Sequence, residues 1–111
     1  MEKRKTRAEL LNAYSEGKRC FEIADLRDAD LRNADLRGAD LDFSCFPLWC
    51  GGLNIKIDRH IAAQLAYHFC AQTCDDGDYI AVRNAILPFA NSFHRVDEVG
   101  RLEAIYIGVP A

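Results

Sequence analysis

The chain has 111 residues, of which 50% are hydrophobic and 28% are charged, and its formal net charge is −3. This composition predicts one globular domain with a modest core and excludes a disordered chain. The acidic balance argues against free nucleic acid as a ligand, because neutralising phosphates needs an excess of Lys and Arg.

The sequence carries no visible targeting or membrane signal. Its first residues are charged, and no apolar run is long enough to span a bilayer. The five cysteines are an odd number in a chain without an export signal, which favours reduced thiols. We therefore expect a cytoplasmic protein that inserts into no membrane.

A short helix is predicted at the N-terminus. Thr6 and Glu9 have the spacing of a capping box, and Gly17 can end a helix that runs to about Ser15. The apolar side chains Leu10, Leu11 and Tyr14 would lie on one side of it. Residues 1–18 are therefore predicted to cap one end of the segment that follows.

That segment repeats every five residues. Large apolar side chains recur at Phe21, Leu26, Leu31, Leu36, Leu41 and Phe46, and a small residue precedes most of them by two positions. A helix would turn successive leucines by about 140°, and a straight strand would point them to opposite faces. The chain can keep them on one side only by turning a corner in every repeat, so that four repeats make one turn of a solenoid.

The run ADLRD-ADLRN-ADLRG-ADLDF, from Ala24 to Phe43, resembles the pentapeptide-repeat family. The resemblance, with looser copies on either side, covers residues 19–48 and implies a short right-handed quadrilateral β-helix. It also implies a protein that is not an enzyme, since the family's well-understood soluble members use no catalytic residue in the repeats. Several members mimic duplex DNA and bind topoisomerases. The combination of a capped helix, a few repeats and a helical tail is similar to small phage proteins that counter host defence, including anti-CRISPR proteins.

Residues 49–111 are predicted to be a mainly helical C-terminal cap. Asp58 can begin a helix through about Thr73, and Asp78 can begin a second helix from Tyr79 to about Arg95, interrupted or kinked at Pro88. The segment 104–107 reads either as a short strand or as a docking tail. The predicted fold class is thus mixed β-solenoid plus α, in one domain.

Charges are sorted by side in such a solenoid. Residues before and after each leucine would both point outward, which pairs Asp25 with Arg27, Asp30 with Arg32, and Asp35 with Arg37. The fourth side has Asp40 and Asp42 without an Arg, and Glu22 lies one turn earlier on that side. This acidic patch is either an ordinary solvated face or a site for a basic partner.

We favour the second interpretation, in which the protein occupies the nucleic-acid-binding site of a host protein in a bacterial cell. The candidate partner-binding residues are Glu22, Asp40 and Asp42, followed by Asp25, Asp30 and Asp35. This interpretation needs no cofactor and no direct contact with nucleic acid.

Two alternatives remain open. His60, Gln64 and His68 are spaced by four on one helix face and could bind a small signalling nucleotide, with Arg83 or Arg95, at a subunit interface of an oligomeric sponge, for instance a homodimer. The repeats could instead be a scaffold without a dedicated site. The Cys and His spacings match no zinc motif, so no metal is expected and the cysteines are predicted to be mostly core thiols.

Overall fold

The computed structural model describes residues 6–106. Within that range the chain forms four α-helices: α1 (Arg7–Ser15), α2 (Arg59–Cys70), α3 (Gly77–Ala90) and α4 (Val96–Val99), with one 3-10 turn at Cys50–Gly52. The chain divides into two compact units, Met1–Ile61 and Ala62–Ala111, each with a core of its own. That the whole chain is a single domain remains a prediction.

The expected quadrilateral β-helix is wrong as a fold class. Residues 6–106 contain no β-strand and no sheet, and the β-bridges between successive turns of the chain are isolated and parallel: Cys20–Asp40, Asp25–Cys45 and Asp35–Lys56. The reason is local, because most residues of each repeat are used in making a turn. What is left to pair falls short of the three or more residues of an ordinary strand.

Each five-residue repeat closes a tight turn from the large apolar residue to the small one. Ala29 N donates to Leu26 O at 2.9 Å, and Ala34 N donates to Leu31 O at the same distance. Backbone hydrogen bonds also join residues about 20 apart, such as Phe21 N to Asp40 O at 2.7 Å. Residues 21–46 are therefore neither a helix nor a flat hairpin.

The leucines share one interior, as the five-residue period predicts. Leu26, Leu31 and Leu36 are fully buried, and Ala24 and Ala39 pack in the same cluster. Burying each leucine contributes about 1.5–3 kcal/mol, which offsets part of the entropy lost in forming its turn. The apolar interior and the backbone hydrogen bonds between turns together stabilise this segment.

Helix α1 caps the first unit as predicted. The Thr6 side chain accepts a hydrogen bond from Glu9 N, and Leu10 is fully buried among the leucines of the repeats. Arg7 donates to two backbone carbonyls of the repeats, Asp30 O at 2.7 Å and Arg32 O at 2.8 Å. These bonds satisfy carbonyls that would otherwise be open at this end of the segment.

Backbone pairing continues past the expected end of the repeats. Leu31 N donates to Gly51 O, and Lys56 N donates to Ala34 O, each at 2.8 Å. The segment up to Lys56 thus adds a further layer to the first unit. Its sequence lacks the small-Asp-Leu pattern, so only its backbone hydrogen bonds show that it stacks on the repeats.

The second unit contains most of α2, together with α3, α4 and an extended tail. Its core consists of Cys70, Leu87 and Ala90, and the tail residues Leu102 and Ala104 pack against it. The tail is therefore a docking segment and not a strand over the described residues, while Ile107 lies outside them.

Two helix predictions need correction. The N-cap of α3 is Asp76, whose side chain accepts from Tyr79 N at 2.9 Å, and Asp78 lies in the first turn. Helix α3 ends at Ala90 and a separate short helix, α4, follows, whereas one interrupted helix to Arg95 was expected. No helix within residues 6–106 has the length and apolarity required to cross a bilayer.

Candidate functional site

Three sides of the repeat segment carry the predicted Asp–Arg ion pairs. Arg32 and Arg37 each hold the preceding Asp through two nitrogens, with Nη2–Oδ2 distances of 2.6 Å to Asp30 and 2.7 Å to Asp35. Arg27 lies 3.2 Å from Asp25. Charge is therefore balanced locally on these three sides.

The aspartate that directly precedes each leucine also stabilises its own turn. Asp30 Oδ1 accepts from Arg32 N at 3.2 Å, Asp35 Oδ1 accepts from Arg37 N at 3.1 Å, and Asp40 makes the same bond to Asp42 N. The guanidinium and backbone donors lower the pKa of Asp30 to about 2, and Arg37 lowers the pKa of Asp35 in the same way. Much of the aspartate pattern is explained by turn formation.

The fourth side brings Glu22 and Asp40 together, as the sequence predicts. Cys20 and Asp40 form a bridge, and Asp40 N donates to Arg19 O at 2.6 Å. The Cys20 thiol and one carboxylate oxygen each from Glu22 and Asp40 all lie within 4.8 Å of one another. Glu22 and Cys20 are exposed and Asp40 is half-buried, so this cluster faces solvent.

Two of the six predicted partner-binding residues do not face solvent. Asp42 is 9% exposed and Asp25 is 4% exposed, so the expectation that both would point outward is wrong. Asp30 and Asp35 keep a little over a third of their side chains exposed, but both are held by arginines. The accessible acidic surface is therefore local, centred on Glu22 and Asp40, and does not extend as a row along the repeats.

A family comparison bears on this segment. Residues 21–47 match the family described as pentapeptide repeats (8 copies). The chain carries pentapeptide repeats. The match spans about a quarter of the chain, and pentapeptide repeats generally serve as protein-interaction or scaffold segments without catalysis. No curated protein and no solved structure matches the chain.

The corners of the pentapeptide repeats show a feature that the sequence reading missed. The residue before the small one has positive φ at Ile23 (63°), Asn33 (64°), Gly38 (82°) and Phe43 (61°). Left-handed backbone costs an L-residue about 1–2 kcal/mol, and only Gly and Asn adopt it readily. A β-branched residue in this conformation is unusual, and Ile23 is one.

Ile23 and Phe43 are also exposed, by 42% and 63% of their surface. The signal was present in the sequence, since the equivalent positions of other repeats hold Asp28, Asn33 and Gly38. The five-residue leucine period does not reveal this requirement, because these positions vary from repeat to repeat.

The Cys20, Glu22 and Asp40 cluster is also the group that could hold a metal. A thiolate and two carboxylates are acceptable ligands for a divalent ion such as Zn²⁺. Among the described residues, no other His, Cys, Asp and Glu side chains converge in this way, so Cys45, Cys50 and Cys74 join no such group. That the chain binds no metal remains a prediction.

The cysteines are less buried than expected. Only Cys70 is a core thiol, and burial raises its pKa, whereas Cys20, Cys50 and Cys74 are exposed. The prediction of mostly core thiols is wrong because several cysteines lie at outward positions of the repeats and loops.

The alternative ligand stripe lies on α2 as predicted, but its arginines are engaged elsewhere. His60 and His68 are exposed and Gln64 is half-buried. Arg83 is 5% exposed and donates to Cys70 O at 2.7 Å and Glu103 O at 2.8 Å, and Arg95 pairs with Glu98. Both arginines are thus engaged by residues of the second unit, and the nucleotide site remains a prediction.

Proposed function

We propose that this protein is a non-enzymatic binding protein whose pentapeptide repeats attach to a basic partner through Glu22 and Asp40. Its partner is a host nucleic-acid-binding protein, and the protein acts as a phage-type inhibitor of that partner. The proposal depends most on one observation, that Glu22, Asp40 and Cys20 converge on the single side where Asp42 replaces the arginine of the other repeats.

The four sides of the repeat segment differ in their charge balance. Three sides present carboxylates already bound by an arginine, so a basic partner gains little there. The side with Glu22 and Asp40 concentrates negative charge, which favours Lys or Arg on a partner and speeds their encounter. Anti-CRISPR activity and inhibition of a topoisomerase are two forms of this proposal, both requiring a phosphate-binding site on the partner.

The narrow extent of the acidic surface changes what kind of mimic is proposed. A long DNA duplex presents phosphates in rows, whereas this surface offers two carboxylates beside a thiol. The proposal is therefore occupation of one local basic site, and not replacement of a whole length of duplex.

The test is affinity capture of partners from host lysate at low and high salt, with identification of the captured protein and measurement of its affinity. Glu22→Gln/Asp40→Asn removes both charges and keeps the oxygen that accepts from Asp42 N. The matched control, Asp75→Asn/Asp97→Asn, removes two exposed charges elsewhere. We expect binding to weaken with salt and in the first variant only. The proposal would be overturned if the affinity for the captured partner changed neither with salt nor in the Glu22→Gln/Asp40→Asn variant.

A further inference from the structure

Two exposed apolar side chains occupy equivalent corners of successive turns. Phe21 N donates to Asp40 O at 2.7 Å and Ile23 N donates to Asp42 O at 3.0 Å. These bonds set turn 21–24 against turn 41–44, so that the third residue of each, Ile23 and Phe43, occupies the same corner one layer apart.

Neither residue type favours the backbone conformation that it adopts here. Both have left-handed backbone, with φ of 63° and 61°, and both remain largely accessible to solvent. The equivalent corners at Asn33 and Gly38 use residues suited to that backbone. Strained backbone conformations cluster at functional sites, and adjacent exposed apolar side chains mark interaction sites.

The charged neighbours of this corner define what can dock there. Glu22 precedes Ile23 in the chain, and its carboxylate lies within 4.8 Å of an Asp40 oxygen. The corner therefore presents apolar surface directly beside negative charge. A partner that fits must offer apolar side chains next to Lys or Arg.

We propose that Ile23 and Phe43 form an apolar docking corner for a cationic amphipathic protein segment. This inference rests on the proposed function and names the chemistry of the partner's contact. A second copy of this chain fits less well, because two such corners face to face would oppose Glu22 and Asp40 with like charges. An anionic lipid surface is disfavoured by the same carboxylates.

The first experiment is an NMR titration of the isotope-labelled protein with three synthetic helical peptides. One combines Leu and Lys, one replaces Leu by Ser, and one replaces Lys by Glu. We expect the Leu/Lys peptide to shift the Ile23 methyl and Phe43 ring signals, and to bind at least about tenfold more tightly than the other two. Equal binding of the Ser/Lys peptide, equal binding of the Leu/Glu peptide, or no shift at Ile23 would each overturn the docking corner.

The second experiment uses variants that suit the backbone. Ile23→Asn and Phe43→Asn place a residue that tolerates positive φ at each corner. The thermal unfolding midpoint of each variant should therefore equal or exceed that of the unsubstituted protein. Affinity for the Leu/Lys peptide should fall about tenfold, whereas Asn33→Gly, at another corner, should leave it unchanged. Full affinity in both Asn variants would refute the docking corner.

The two proposals fail in different ways. Loss of binding in Glu22→Gln/Asp40→Asn with full binding in the two Asn variants would remove the apolar docking corner and keep the electrostatic proposal. Binding unaffected by Glu22→Gln/Asp40→Asn would remove the proposed function itself.

Discussion

Asp58 accepts a hydrogen bond from Gly38 N at 2.6 Å through one carboxylate oxygen, while the other accepts from Ile61 N at 3.0 Å. A single side chain thus fixes a corner of the pentapeptide repeats and begins helix α2. The donors lower the pKa of Asp58, and the bond from Ile61 N is the largest cause.

Removing this carboxylate should destabilise the first unit. We expect Asp58→Ala to cost about 1–2 kcal/mol in the free energy of unfolding, the usual price of a lost helix cap. Asp58→Asn keeps one acceptor and should cost less. Urea unfolding measures both, with Asp75→Ala in an exposed loop as the control. Equal stability of Asp58→Ala and the control would contradict the role of Asp58.

Acid should weaken the fold through the aspartates of the repeats. Arg32 lowers the pKa of Asp30 from its ordinary value of 3.8 to about 2. Because the folded pKa is the lower one, the ion pair stabilises the fold fully above about pH 4 and progressively less as the pH falls towards 2. The urea midpoint, measured from pH 6 to pH 2, should decline in that range.

An arginine variant isolates the contribution of this pair. Arg32→Gln should flatten the decline between pH 4 and pH 2, because Asp30 then titrates closer to its ordinary pKa. Arg101→Gln, at an exposed position in the second unit, should keep the full pH dependence. An unchanged slope in Arg32→Gln would show that the Asp30 pair does not contribute.

Gly52 should not tolerate a side chain. A Cβ at this position would collide with the backbone carbonyl oxygen of Pro47, which has no freedom to move away. We expect Gly52→Ala to lose about 2–3 kcal/mol. Gly77→Ala is the matched control, since its Cβ would meet no atom within 4 Å. A thermal melt that places both variants at the same midpoint would contradict this account of the turn.

Two asparagines, Asn84 in α3 and Asn91 at its C-cap, should hold the tail independently. Asn84 exchanges two hydrogen bonds with Ile105, at 2.6 and 3.0 Å, and Asn91 exchanges two with Leu102, both at 2.9 Å. Asn84→Ala should speed amide hydrogen exchange at Ile105 and leave Leu102 slow, and Asn91→Ala should do the reverse. Each variant is the control for the other. If amide exchange were unchanged in both variants, the asparagines would not hold the tail.

The sequence was sufficient to predict the shared interior of the repeats and the N-terminal cap. A five-residue period can bury Leu26, Leu31 and Leu36 together only if the chain turns in each repeat, and the Thr6 cap is a purely local pattern. Strand pairing was overestimated because turns consume each repeat, which a period alone cannot show.

The rest depends on contacts that no pattern encodes. Asp25 and Asp42 carry charge in the sequence, but they are buried in the structure and add little to the surface. The layer up to Lys56 pairs through backbone atoms, which every residue has. The sequence offers two suitable N-cap residues for α3, Asp76 and Asp78, and no local pattern shows that Asp76 is the one used.

Cys20 provides the most direct test of the binding surface without any substitution. Its thiol is exposed and lies beside Glu22 and Asp40, while Cys74 is exposed in the second unit. Alkylation rates at each cysteine can be measured by mass spectrometry for the protein alone and for its complex with the captured partner. We predict that the partner slows alkylation of Cys20 and leaves Cys74 unchanged. Equal rates at Cys20 with and without the partner would contradict binding through this side of the repeats.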